Sequence, residues 1–381
     1  MESCDFLIIG AGIAGASVAF ELAAHGRVIV LEREAVPGHH STGRSAAVLT
    51  QNYGNSVIRR LTLATRPFLE HPPDGFTEYP LTAPRQMLWI AREDQKAGLE
   101  STLGEAQRLV PTIRAVEPAE AYTLCSALRA GYVAYAILEP HALDLDVHAI
   151  HQGFLRGLRS RGGTVVTNAE VVRFRQTDAS WKVHTPDQQY AAAVVVNAAG
   201  AWCDVIGQLA GARPVGLVPK RRTAFTCDGP AGIPSEELAA WPIIVDSDEE
   251  FYFKPESGGI LASPADETPM EPCDVFPDDY DVAVAIDRIQ KATTLSIAHI
   301  NRRWAGLRSF VPDKTPVVGM DSERTGFFWL AGQGGYGIQT SSAMGRTAAS
   351  LIVNRHLPPD LTDMGLTPED LAPIRAQAGG D

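Results

Sequence analysis

The first residues in this chain able to do chemistry are three glycines spaced Gly10-x-Gly12-x-x-Gly15, followed by an acid at Glu32. A short apolar run precedes them and an Ala-rich stretch follows. In that strand–turn–helix setting the spacing suits a dinucleotide. Gly10 allows a tight turn, Gly12 lets the backbone approach a pyrophosphate, and Gly15 lets the helix pack on the strand. Amides at the helix start, around Ile13 and Ala14, offer hydrogen bonds and positive potential to phosphate. Glu32 can accept from ribose hydroxyls, and its charge opposes a 2′-phosphate. A second glycine loop, Gln333-Gly334-Gly335-Tyr336-Gly337, again separates an apolar run from a small-residue helix. His39 and His40 could be metal ligands or a covalent attachment point for a cofactor. Solvated loop histidines are the reading adopted, and no metal is expected.

These groups need elements to position them. The pattern predicts strands over 4–9 and 27–31 around a helix over 13–25, with Gly26 as its C-cap. The small residues of 39–47 can wrap closely around a flat ring. Residues 191–197 read as a buried strand. It ends in the small turn Ala198-Ala199-Gly200-Ala201-Trp202 and passes to a helix over 204–210, which suits a nucleotide sheet. Residues 216–309 are β-rich. A strand over 327–332 and a helix over 338–353 enclose the second glycine loop, and the polar tail from 358 reads as frayed. The two strand–glycine–helix units predict one α/β, Rossmann-like domain, discontinuous over 1–78, 141–215 and 306–375. A β-rich α+β substrate domain over 79–140 and 216–305 completes the chain. The net charge of −12 argues against nucleic acid as a partner. Five scattered cysteines without CxxC suggest reduced thiols in a cytoplasmic protein. Acids at Glu2, Asp5 and Glu21 argue against stable membrane insertion.

The sequence resembles the flavoprotein superfamily of D-amino-acid, glycine and sarcosine oxidases, and within it the bacterial FAD-dependent D-arginine dehydrogenases. The motifs are LIIGAGIAGAS (7–17), VIVLERE (28–34), HSTGRSAA (40–47), VVNAAGAWCD (195–204), PKRR (219–222), FYFKP (251–255), WAGLRSF (304–310) and QGGYGIQTS (333–341). The resemblance implies FAD, oxidative deamination of D-amino acids by hydride transfer from Cα to flavin N5, and quinone or oxygen as electron acceptor. It places Arg33, Ser41, Thr42, Arg44, Ser45, Ala46, Ala199, Gly200, Trp202, Gly334, Gly335, Tyr336, Gly337, Ile338 and Gln339 at the cofactor. The helix after Gly337 would face the flavin. Arg222 and Arg308 match two carboxylate-binding arginines, although Lys220 and Arg221 leave open a structural ion pair for Arg222. Tyr53 and Tyr252 would cover the substrate, the Gly335 carbonyl would meet its amino group, and Gln339 would touch it.

The departures bear on specificity. Enzymes acting on D-arginine carry a Glu after the Pro-Arg pair that matches Pro84-Arg85, whereas this chain continues Gln86-Met87. A family histidine is replaced by Val48, and Ile243 and Val245 are apolar. An unpaired buried guanidinium is costly, so the preference should move towards neutral, apolar D-amino acids. The acids Asp246, Asp248, Glu249 and Glu250 read as a solvated charge run. A secondary amine, glycine or a 2-hydroxy acid is the alternative substrate.

Overall fold

The computed structural model describes residues 1–177 and 180–377. Its first sheet has the order Arg173–Gln176, Trp181–His184, Gln189–Asn197, Glu2–Ile9, Val28–Leu31, Thr164–Val166. Phe327–Ala331 joins it in parallel along the end of Gln189–Asn197, and Val317–Met320 pairs antiparallel with Phe327–Ala331. Both ends of the chain therefore meet in one sheet, and the fold is the α/β class expected. Val28–Leu31 and Phe327–Ala331 are apolar and buried throughout because both faces are covered, whereas the antiparallel strand Arg173–Gln176 is polar and largely exposed. Phe6 and Ile8 pack with the helices Ile13–Leu22 and Ser341–Val353. Leu7 and Ile9 enter the opposite core, where the helix Cys203–Leu209 contributes Cys203 and Ile206.

Glu2–Ile9, Val28–Leu31, Thr164–Val166, Gln189–Asn197 and Phe327–Ala331 all run in one direction. Their carboxyl ends share one edge, where ligands of such sheets bind. Gly10 shows how tightly that edge is drawn. Its φ is +98°, and a Cβ there would stand 2.5 Å from the Ala198 carbonyl oxygen. Gly15 is a packing residue: its Cβ would stand 1.8 Å from the Gly10 carbonyl oxygen.

The second sheet runs Thr268–Pro269, Val218–Asp228, Gly259–Ser263, Tyr252–Glu256, Ile243–Asp246, Met87–Ala91, Tyr135–Glu139, Arg114–Val116, with Arg302–Phe310 also paired to Val218–Asp228. One face buries Leu88, Ile90, Phe225, Ile244 and Phe253 beneath Val282, Ala285 and Ile289 of the helix Asp279–Ala292. The other face carries the register row Tyr252, Val245, Trp89, Ile137. Three short strands, Val48–Leu49, Leu143–Leu145 and Thr82–Pro84, form a third sheet that the sequence pattern did not signal.

Three expectations fail. The first helix ends at Leu22 with Ala23 as its C-cap, so Gly26 does not cap it; a Cβ at Gly26 would stand 2.6 Å from Asp5 Oδ2. The last long helix starts at Ser341, not at 338, because the chain after Gly337 makes a tight turn in which the Thr340 amide and hydroxyl both donate to the Tyr336 carbonyl. The tail is not frayed through its described part. Leu361, Leu366 and Leu371 are buried in the core beside the first helix, and the Val318 amide donates to the Leu371 carbonyl. Leu371→Ala should therefore destabilise the protein by about 2–5 kcal/mol, as for other buried leucines. Chemical denaturation checks this, and an unchanged midpoint would mean the tail is dispensable.

Candidate functional site

A cleft of about 1710 Å³ of empty space, its open mouth included, runs along the carboxyl edge of the first sheet to the open face of the second. On the nucleotide side it is lined by Gly10, Gly12, Ile13, Ala14, Glu32, Arg33, Ala199, Gly200 and Trp202. Glu32 is held firmly: its carboxylate accepts the Ala11 amide at 2.8 Å and the Glu34 amide at 3.0 Å. The first turn of a helix has amides without intrahelical partners. Thr42 Oγ1 accepts that of Ile13 at 3.0 Å, so the loop around 42 caps the first helix from 29 residues away. Ser41, Thr42, Arg44, Ser45 and Ala46 all line the cleft. Arg44 fastens this loop to the second sheet by donating to the carbonyls of Ala305 and Val275 and to Asp274.

Further along, Gly334, Gly335, Gly337 and Ile338 line the cleft with Arg222, Ala224, Tyr252, Gly306 and Arg308. The register explains the arginines. Lys220 lies opposite Arg308 and Arg222 opposite Gly306. Side chains alternate along strands, so Arg222 and Arg308 share a face, and Arg221 points away to Asp266 and Asp281. Arg221 is the structural ion pair; Arg222 reaches the cleft. Its Nη2 donates to Glu267 at 3.2 Å, while its buried Nε has no partner among the described residues. Among the described residues Arg308 pairs with no carboxylate, and its guanidinium donates to Tyr53 Oη at 3.3 Å. A Cβ on Gly335 would stand 2.8 Å from Arg308 Nη1, so the loop lies directly against the guanidinium. Burial opposes the Arg308 charge, but Tyr53, Tyr252, Glu249 and Tyr336 together hold its pKa above the usual arginine value. Burial likewise pushes the Tyr53 phenol up.

Several expected site residues stand back from the wall. Gln339 is 3 % exposed, and its amide is used on the Thr50 backbone and Thr62 Oγ1. It positions the chain leading to Tyr53 and is not open to substrate. Tyr336 is buried between Tyr53 and Phe310. Tyr53 lies behind the wall, linked to it through Arg308. Val48, Met87, Ile243 and Val245 gather with Trp89, Tyr53 and Tyr252 in one apolar cluster beside the cleft. Gln86 lends that region its carbonyl, which accepts the Ile243 amide at 2.8 Å.

Other residues escaped the sequence reading. Buried Glu139 accepts Thr50 Oγ1 and the Gln51 amide, both at 2.7 Å. Ala169, Glu170 and Val171 line the cleft just past a parallel strand, where the carboxyl-edge rule points. His40 is not a solvated loop histidine: its Nε2 is 2.9 Å from Glu34 Oε1 and its ring centroid 4.7 Å from that of Trp202. With exposed His39 they bring their ligand atoms within 4.8 Å of one another. Nor are the acids after Val245 a uniformly solvated run. Asp246 is buried under Gln95 and Arg92, Asp248 accepts from Gln95, Glu250 pairs with Arg92, and Glu249 alone turns to Tyr53.

Fold and cleft together define a dinucleotide-binding α/β protein with a paired-arginine site at the far end of the ligand groove. Residues 5–351 match the FAD dependent oxidoreductase (DAO) family, and the chain belongs to it. It is 24% identical to FAD-dependent oxidoreductase domain-containing protein 1 of Bos taurus, over 93% of this chain and 82% of that one. It is also 24% identical to mitochondrial sarcosine dehydrogenase of Homo sapiens, over 93% of this chain but 40% of that protein. The fold matches L-proline dehydrogenase from P. horikoshii with a TM-score of 0.85 at 20% identity, covering 99% of both chains. Glycine oxidase from Geobacillus kaustophilus matches at 0.79 and 21%, covering 93% of this chain and 95% of that one. The cofactor is FAD. The cleft fits it: where strand ends converge there is no room for a side chain at Gly10, and Ser309 Oγ, Gln333 Nε2 and Arg222 Nε, on residues that line it, are buried polar atoms without partners among the described residues.

Burial raises the Glu139 pKa against the opposing hydrogen bonds from Gln51 and Thr50. The folded protein therefore binds this proton more tightly than the unfolded chain, where a Glu titrates near about 4.3. Stability is lost as pH rises from there through the raised folded pKa. Glu139→Gln should remove that slope and gain relative stability at pH 8 over pH 5. Parallel melting curves of both proteins across that range would contradict it.

Proposed function

We propose that this protein oxidises D-amino acids, favouring neutral and apolar ones over D-arginine, to imino acids that hydrolyse to 2-oxo acids and ammonia. The observation that carries the reading is Arg308, a cation on the cleft wall with no carboxylate partner among the described residues, sharing a face with Arg222, whose Nη2 bonds Glu267 and whose buried Nε has no partner among those residues. Two forks there hold one carboxylate in a fixed orientation. Gly10, Gly12, Ala14, Glu32, Arg33 and Trp202 would hold the dinucleotide, and Ser41, Thr42, Arg44, Ser45, Ala46, Gly334, Gly335 and Gly337 the flavin end. When bound, FAD supplies the acceptor for the hydride leaving Cα.

The chain's own contribution is positioning. Arg222 and Arg308 fix the acid end, Gly335 offers a carbonyl to the amine, and Tyr252 closes the wall. The cluster of Val48, Met87, Trp89, Ile243 and Val245 adjoins this point and carries no acid to meet a guanidinium. We assign residues 1–78, 141–215 and 306–375 to the FAD domain and the remainder to a substrate domain. Five free thiols suit a cytoplasmic setting, and no helix among the described residues is long and apolar enough to cross a membrane.

The likeness to sarcosine dehydrogenase and glycine oxidase favours one second reading, a small secondary amine or glycine. Anaerobic mixing of the holoprotein with D-leucine, D-methionine, D-phenylalanine, D-arginine, sarcosine and glycine separates them by which substrate bleaches the flavin. A lead of more than about tenfold for D-arginine, equal to about 1.4 kcal/mol, would contradict the apolar preference. Arg308→Met should lower kcat/KM by the equivalent of about 2–5 kcal/mol. An unchanged kcat/KM would remove Arg308 from the site.

A further inference from the structure

Among the acids between Asp246 and Glu250, Glu249 differs in direction and in company. Asp246 is fully buried and accepts the amides of Asp248 and Glu250. Asp248 accepts from Gln95, and Glu250 is paired with Arg92 and Arg288. Glu249 has no cation within ion-pair distance among the described residues, and it accepts from Tyr53 Oη at 3.3 Å. Its backbone is left-handed, with φ of 55°, a conformation unfavourable for a glutamate. The turn is kept there by the Asp246 carbonyl, which accepts the Glu249 amide at 2.9 Å, and by the buried Asp246 carboxylate. Strain over-determined in this way gathers at working sites.

The second observation is where this carboxylate points. Tyr53 Oη accepts from Arg308 Nη1 and donates to Glu249, so one hydroxyl separates the unpaired acid from the unpaired guanidinium. Glu249 thus lies behind the cleft wall, one hydroxyl away from the guanidinium of Arg308 that lines it. A negative charge there is unhelpful to a plain carboxylate and matches a molecule carrying a positive group beside its carboxylate.

We propose that Glu249 is a specificity-determining counter-charge that makes the arginine pair select zwitterionic amino acids over carboxylates lacking the amino group. Resting on the function proposed above, the assignment adds discrimination against 2-hydroxy acids and simple fatty acids of the same shape. Arg308 attracts every carboxylate; Glu249 penalises those that bring no cation with them. Both charges are partly screened by the intervening hydroxyl and by solvent, which keeps the effect moderate.

The test uses the FAD-loaded protein, without oxygen and at one pH. Isocaproate, which is leucine without its amino group, is titrated by the change in flavin absorbance; D-leucine binding is read from the concentration dependence of flavin bleaching. In Glu249→Gln the Kd of isocaproate should fall about tenfold, while that of D-leucine does not fall. Equal changes for both ligands, or none for either, would overturn the proposal. Should that variant fold poorly, Glu249→Asn removes the same charge with a residue that tolerates left-handed backbone. The isocaproate arm requires no turnover. If D-leucine does not bleach the wild-type flavin, the proposed substrate falls, and the Glu249 effect is read with sarcosine as the zwitterion.

Discussion

The pairing of Val218–Asp228 with Arg302–Phe310 is the constraint on which the site depends. Lys220 faces Arg308, and Arg222 faces a residue without a side chain, Gly306. That register brings two guanidiniums onto one face 86 positions apart in the chain, and it sends Arg221 to the other face. A slip of one residue would exchange Arg222, which pairs with Glu267 and keeps its Nε unpartnered among the described residues, for Arg221, which is tied to Asp266 and Asp281. The proposed carboxylate clasp follows from this alternation.

The rest of the fold brings the arginines to the cofactor groove. The parallel strands of the first sheet end at one edge, and the glycine turns after Ile9 and Ala331 lie there. The loop containing Ser41, Thr42 and Arg44 joins the two halves: Thr42 caps the first helix, Ser41 Oγ donates to the Leu307 carbonyl, and Arg44 reaches Ala305. One short segment thereby touches the dinucleotide turn and the strand that bears Arg308. Behind the wall, Glu139 and Gln339 hold the chain at Thr50 and Gln51, on the way to Tyr53. These buried polar contacts make the position of Tyr53 a property of the core and not of a free loop.

What the sequence disclosed follows from how local each feature is. The glycine spacing, the apolar strands and Glu32 depend on near neighbours, so the nucleotide half of the cleft was legible. Arg222 and Arg221 are adjacent and chemically alike; only pairing with a distant strand tells them apart. Glu249 was hidden within four acids because its direction comes from a left-handed turn held by buried Asp246. Gln339 was placed at the ligand because it follows a glycine loop by one helical turn, whereas the chain turns tightly there and the helix begins later. The polar tail concealed three leucines spaced to reach the core.

The central claim is that Arg222 and Arg308 jointly clasp the acid group of the substrate next to FAD. A crystal structure of the holoprotein with a redox-inert carboxylate tests it most directly. The account predicts the carboxylate oxygens within hydrogen-bonding distance of both guanidiniums, beside the flavin and against Gly335. A carboxylate bound elsewhere, with Arg308 turned away from the flavin or neutralised by a protein acid, would contradict it.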